Sequence, residues 1–406
     1  MYWHNFLVCS LVIISVSAKN ELYSGSKIYN VKLTSPKQQE TLSHLKKDDV
    51  DFLRYPSFKH NITGRALVPA AQVDWFEEQL NSFGIPVDIQ VHDVQEYLMR
   101  KDHSQSESSR SFAFDGYYRY EQILSYLNTV QEQNSNVEVI EYGKTAQNRP
   151  LVYAKITNDD TNAKPVIIIE AGIIPREWIT IPAAINAINK LLEVENAKLL
   201  NAFDWIVIPV LNPDGYEYTH TDLRYWTKTL TTSSHLQSVC PGANINRNFD
   251  IDWLVSGSSS SPCSPIYSGI EPFSEIESQM VKNLLEEYGD RVRMFLSLQN
   301  NGPFITYPWQ FDKAATGAFR LHHFLGRDMA KSIGSEYVTG VGSVTTDERI
   351  SGTSSDFAQR SGVLYSFNIN LKQDENDDVL VPESEIPRAI EEAWRAISVA
   401  ADSIIS

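Results

Sequence analysis

The chain has 406 residues, 42% hydrophobic and 21% charged, an ordinary globular balance spread over more than one domain length. A net charge of −16 argues against nucleic acid and against an anionic membrane surface as partner. No segment beyond the extreme N-terminus is long and apolar enough to cross a bilayer.

Residues 6–16 (FLVCSLVIISV) form an apolar stretch closed by Ser17 and Ala18, small residues suited to signal peptidase. The stretch is too short to span a membrane, so residues 1–18 read as a signal peptide and the mature protein as secreted and extracellular. Of three cysteines, Cys9 leaves with that peptide. Cys240 and Cys263 remain, an even count in an oxidising compartment, and read as one disulfide worth roughly 3 kcal/mol in the chain-entropy model.

Residues 19–99 carry a compact α+β pattern. Residues 27–33 alternate as a strand, 36–46 as a polar helix, and 50–55 and 65–68 as further strands. Residues 70–83 form an amphipathic helix stopped by Gly84 and Pro86, and 87–91 a last strand. Two helices on one face of a small antiparallel sheet fit this order. Asn61-Ile62-Thr63 is an N-glycosylation acceptor in a secreted chain. Residues 100–111 are Ser-rich and aperiodic, an exposed linker in which Arg110 suits a trypsin-like protease.

From residue 112 the pattern changes. Residues 166–171 (VIIIEA) and 205–211 (WIVIPVL) are near-continuous apolar runs, typical of strands covered on both faces. Residues 294–298 and 364–369 are two more. Helical periodicity falls at 181–192, 274–288 and 383–405, and no internal repeat is present. Residues 112–406 therefore read as one α/β domain with a mixed sheet and helices on both sides.

Specific strings follow these strands. Gly172-Ile173-Ile174-Pro175-Arg176-Glu177-Trp178-Ile179-Thr180 comes after the first and Asn212-Pro213-Asp214-Gly215-Tyr216 after the second. Then come Asn244-Ile245-Asn246-Arg247-Asn248, Tyr267-Ser268-Gly269, Pro272-Phe273-Ser274-Glu275 and Gly352-Thr353-Ser354-Ser355-Asp356-Phe357. In order and spacing the series resembles the zinc metallocarboxypeptidases of the A/B type, from about Tyr118 to the C-terminus. The first domain resembles the same family's activation segment. The resemblance implies an eight-stranded-type mixed sheet with helices on both faces, preceded by a small antiparallel activation domain.

It also implies a chemistry: two His and a Glu hold zinc, a separate Glu takes a proton from the metal-bound water, and an Arg polarises the scissile carbonyl. Here Ile174 stands for the first His, Glu177 is kept, and Gln299 stands for the second His. Asn370 takes the place of the general base, Thr227 (beside Lys228) that of the Arg, and Glu348 that of a mobile Tyr. Isoleucine has no lone pair for a metal, and an amide cannot accept a proton near neutral pH. The expectation is therefore no bound cofactor, no catalytic residue and no peptidase activity. Of the other histidines of this domain, His220, His235, His322 and His323, the last two adjoin on a helix and point about 100° apart. Each reads as a surface or capping residue.

The part of the site that grips a peptide terminus survives. Asn246 and Arg247 match the pair that binds the terminal carboxylate, and Arg176 a further subsite. Alternatively, either arginine simply neutralises Glu177. The side-chain pocket floor falls on Ser355, or on Asp356 if the loop is shifted by one. The resulting expectation is a monomeric pseudoenzyme that binds peptide or protein C-termini or a proteinaceous carboxypeptidase inhibitor. The competing readings are an active zinc metallocarboxypeptidase and a secreted interaction scaffold.

Overall fold

The computed structural model describes residues 18–45, 50–102, 112–158, 163–232, 239–372 and 380–405. The signal-peptide stretch, Arg110 and His235 lie outside them.

The first domain is built from β1 (Lys27–Val31), α1 (Pro36–Ser43), β2 (Asp51–Arg54), β3 (Gly64–Val68), α2 (Val73–Ser82), β4 (Asp88–Val91) and α3 (Val94–Asp102). Its antiparallel sheet has the order β2-β3-β1-β4, which leaves β2 at an edge. Tyr29, Phe76 and Leu80 fill its core. Ser35 caps α1 by accepting from the Gln38 N–H, with Pro36 at the first helical position, where no intrahelical donor is lost. Helix α3 was not foreseen. It runs through Arg100, Lys101 and Asp102, which the sequence assigns to the linker.

The second domain opens with α4 (Tyr120–Gln133), β5 (Val137–Lys144), β6 (Pro150–Ile156) and β7 (Val166–Glu170). Next come α5 (Thr180–Leu192), α6 (Ala197–Ala202), β8 (Asp204–Ile208), α7 (Pro213–Thr221), α8 (Ile276–Tyr288) and β9 (Val292–Gln299). It closes with β10 (Phe304–Tyr307), α9 (Phe319–Ile333), β11 (Val338–Val341), α10 (Gly342–Thr345), α11 (Ser354–Arg360), β12 (Tyr365–Asn370) and α12 (Ile386–Asp402).

The eight-stranded sheet has the order β11-β10-β12-β9-β7-β8-β6-β5. Its centre, β12-β9-β7-β8, is parallel, and β6 and β10 join it antiparallel. Every residue of β7 and β8 is buried, which is why these segments read as unbroken apolar runs. One core packs α4, α5, α9 and α12 on one face, and a second packs α8 and the loops around Phe249 on the other. The chain leaves β7 toward β8 on one side and later returns to β9 on the other. Such a reversal opens a crevice at the carboxyl ends of the strands.

Candidate functional site

The crevice lies where that reversal predicts. Ile174, Arg176, Glu177, Thr227, Asn246, Arg247, Gln299 and Glu348 line one cleft, so most of the residues picked from the sequence come together. Asn370 lies in register beside Gln299 on the adjacent parallel strand, and both are buried. The Gln299 Nε2 donates to Ser297 Oγ at 3.2 Å. Asn244, Asn246 and Asn301 add carboxamides to the lining, each with a buried Oδ1 that has no hydrogen-bond partner among the described residues. The run Gln299-Asn300-Asn301 was the available signal for this amide-rich floor, but only its first member was picked out.

Glu177 stands in a turn fixed by its own N–H to the Ile174 carbonyl, and its Oε2 accepts from the Asn300 N–H at 2.7 Å. It keeps some accessible surface, yet it sits deep under the first domain where little water reaches. Burial lifts its carboxyl to about 7, against the opposing pull of Arg176, the Asn300 N–H and Arg247. Thr227 donates its hydroxyl to the Pro265 carbonyl at 2.7 Å. Lys228 is turned away, its Nζ donating to the Pro262 carbonyl at 2.6 Å, and burial lowers it to about 8 although Glu275 opposes the shift.

Arg247 is 7% exposed and held by its backbone neighbours. Its Nε donates to the Gly257 carbonyl at 2.7 Å and one Nη to the Asn246 carbonyl at 2.9 Å. Burial pushes the guanidinium down to about 10, with Glu348 the strongest opposing influence. Gly352, at φ +74°, allows the chain to pass close here, because a Cβ would lie 2.3 Å from the Arg247 carbonyl oxygen.

The first domain roofs the cleft. Val50, Asp51, Phe52 and Leu53, in and beside β2, line the same space and leave a cavity of about 70 Å³. Asp51 forms an ion pair with Arg176, whose other Nη points to the Phe52 carbonyl at 3.4 Å. Burial works against the Arg176 charge, but Asp51 more than offsets it and holds the guanidinium above its ordinary range. Arg176 is therefore neutralised chiefly from the other domain and not by Glu177. Further contacts are Ser57 Oγ donating to Asp347 at 2.7 Å, Asn20 donating to the Asp222 carbonyl at 2.7 Å, and Tyr23 edge-on to Tyr225.

Two sequence expectations do not fit the cleft. Ser355 is 1% exposed in α11, is not among the lining residues, and its Oγ has no hydrogen-bond partner among the described residues. Asp356, the alternative floor, accepts from the Gln310 and Phe311 N–H groups and so pins the loop after β10. His220 and His322 also differ from surface residues. His220 stacks on Trp178 with ring centroids 4.0 Å apart, and Arg224 covers the other face of that indole at 3.7 Å. His322 is fully buried against Tyr307, whereas His323 faces out. Cys240 and Cys263 form the disulfide, Cα atoms 4.9 Å apart, and Asn61 lies exposed in a turn of the first domain.

Comparison with known proteins places this architecture. The family model described as zinc carboxypeptidase matches residues 123–396, and the one described as carboxypeptidase activation peptide matches 29–101. A carboxypeptidase B of Helicoverpa zea is 34% identical over 98% of this chain and 97% of its own length. The crystal structure of carboxypeptidase A from Helicoverpa armigera superposes with a TM-score of 0.86 at 30% identity, covering 94% of this chain and 98% of that one. Bovine thrombin-activatable fibrinolysis inhibitor, solved in complex with a tick carboxypeptidase inhibitor, superposes with a TM-score of 0.67 at 27% identity, over 72% of this chain and 98% of its own.

The expectation that the protein uses no cofactor is corrected by these matches, because the family is described by its zinc. The side chains of this cleft nevertheless do not fit that ion. A zinc site of this kind takes three His, Cys or carboxylate ligands. Among the described residues no three such groups lie close enough to share a metal, and the Glu177 carboxylate is engaged by a backbone N–H. With its activation domain, its sheet order and its cleft at the carboxyl ends of the parallel strands, the chain belongs to the zinc carboxypeptidase family.

Proposed function

We propose that this carboxypeptidase A/B-like protein is secreted and binds the C-termini of peptides or proteins without hydrolysing them. The observation that carries the reading is the amide pair Gln299 and Asn370, in register on adjacent strands, with Gln299 lining the cleft. Hydrolysis needs a group that takes a proton from the attacking water, and a carboxamide cannot do so near neutral pH. Thr227, committed to the Pro265 carbonyl, brings no charge to polarise a scissile bond. Neither point depends on what metal the cleft holds.

Arg247 supports the binding half of the proposal. A guanidinium offers parallel N–H donors that match a carboxylate, and this one is desolvated, where such bonds count most. Access requires the β2 roof to lift, since about 70 Å³ holds water but no amino-acid residue. A relative's complex with a tick carboxypeptidase inhibitor supports a folded inhibitor as an equally suitable occupant. In this reading residues 1–18 are a secretion signal, cleavage after Arg110 frees a fragment that starts at Ser111 and holds the domain of residues 112–406, and Asn61 carries a glycan.

The test uses the chain nicked in the linker, titrated with a peptide ending in a free carboxylate and with its amidated form. Binding of the free acid alone, with no shortened peptide after long incubation, is the expected result. A shortened product would instead establish an active carboxypeptidase, and equal affinity for both peptides would leave only a scaffold role.

A further inference from the structure

We infer that the outer face of α9 is a docking surface for an acidic protein segment carrying an aromatic or aliphatic anchor. The inner face of this helix is spent on the core: His322, Leu325, Gly326, Met329, Ala330 and Ile333 are buried. The opposite side runs Arg320, Phe324, Arg327 and Lys331 at the three- and four-residue spacing that forms one ridge, all exposed. Phe319, Leu321 and Phe324 are 46%, 49% and 53% exposed. Leu321 and Phe324, three positions apart, adjoin on this side of the helix, whereas Phe319, two positions before Leu321, projects to another.

Composition and charge say what covers it. The Arg327 guanidinium lies 5.2 Å from the centroid of the Phe324 ring, an arrangement that presents a flat apolar and cationic plate. Aromatic residues and arginine are the types concentrated in the cores of protein interfaces. Arg327 has a carboxylate only at 4.0 Å, from its own neighbour Asp328, and Arg320 and Lys331 make no ion pair among the described residues. The ridge thus carries three cations against one carboxylate on a chain of net charge −16. A short acidic segment lying on the ridge feels chiefly these cations, because screening confines the interaction to about 8 Å. An extended anionic bilayer would face the acidic remainder of the molecule as well, and so fits less well.

The test uses the full chain, with a random Glu/Tyr copolymer as probe and poly-Glu and phosphatidylserine vesicles as comparisons, read by fluorescence anisotropy and vesicle sedimentation. The copolymer is expected to bind more tightly than poly-Glu and more weakly as salt rises. Arg320→Glu with Arg327→Glu, and separately Phe324→Ser, should each weaken it by about tenfold or more. Absence of copolymer binding overturns the inference, as does equal binding by the variants or by poly-Glu. Vesicle binding lost in the same variants would replace it with a membrane role, and self-association lost in them would replace it with a second copy of the chain.

Discussion

Asp51→Asn should loosen the roof over the cleft by an amount that can be worked from the ion pair. The two side chains are only 13% and 15% exposed, so the substitution leaves a desolvated guanidinium without its main counter-charge. Breaking a buried pair in this way costs about 3–5 kcal/mol when nothing else compensates. Here Glu177 also acts favourably on Arg176, and the Phe52 carbonyl remains within reach. A loss of about 2 kcal/mol is therefore the better figure, which is roughly 30-fold in an association constant. The assay nicks the linker and measures re-association of the separated first domain by calorimetry, for wild type and variant. An effect under about threefold would refute the argument, because it would show that the pair merely breaks even against desolvation.

Three further outcomes follow from individual side chains. Arg247→Gln should erase most of the preference for a free over an amidated peptide terminus, by about 10- to 100-fold in the affinity ratio, measured by the same titration as the proposal. Glu277 is 1% exposed with an unpartnered Oε2, and burial together with Glu275 raises its carboxyl well above 4.5. Its folded state prefers the proton, so the stability it contributes is full below the unfolded value and is lost as pH rises through the folded one. Glu277→Gln should therefore flatten the decline in Tm from pH 5 to 8, and parallel Tm curves for the two proteins would refute this. His220 is the opposite case: burial, with Arg224 and Arg119 adding to it, holds the ring well below 6.5. Its neutral form is favoured in the fold, so stability is lost as pH falls below about 6.5. His220→Phe keeps the stack on Trp178 and should lose less Tm between pH 7 and 5 than wild type does.

The sequence announced the central strands because residues 166–170 and 204–208 are buried on both faces and read as unbroken apolar runs. It said less about edges. Strands β10 and β11 are four residues each and were not assigned in advance, and α9 was recognised only around His322 and His323, because its buried positions are interspersed with Arg and Lys. The start of the linker was misplaced because Arg100 and Lys101 are polar, yet they occupy the last turn of α3, where cations suit the helix dipole. At the site, Ile174, Glu177 and Gln299 were legible because each stands at or just after a recognisable strand end, and Arg247 because it sits in the string Asn244-Ile245-Asn246-Arg247-Asn248. The partner of Arg176 was not. Asp51 lies 125 positions earlier, and no local pattern reports which domain surface will lie over which. Ser355 failed for a related reason: a position in a motif says nothing of whether a side chain reaches the cavity or turns beneath it.

The strand order of the small sheet has a consequence for handling the separated parts. Because β2 is the outermost strand, paired only with β3, its other flank offers main-chain N–H and C=O groups with nothing in the sheet to receive them. In the intact chain that flank faces the larger domain, which acts as a chaperone to it. Once freed, a four-residue strand bearing Phe52 and Leu53 becomes a template on which a second copy can extend the sheet. The isolated first domain should therefore show concentration-dependent light scattering that the intact protein lacks, and adding back the larger domain should clear it.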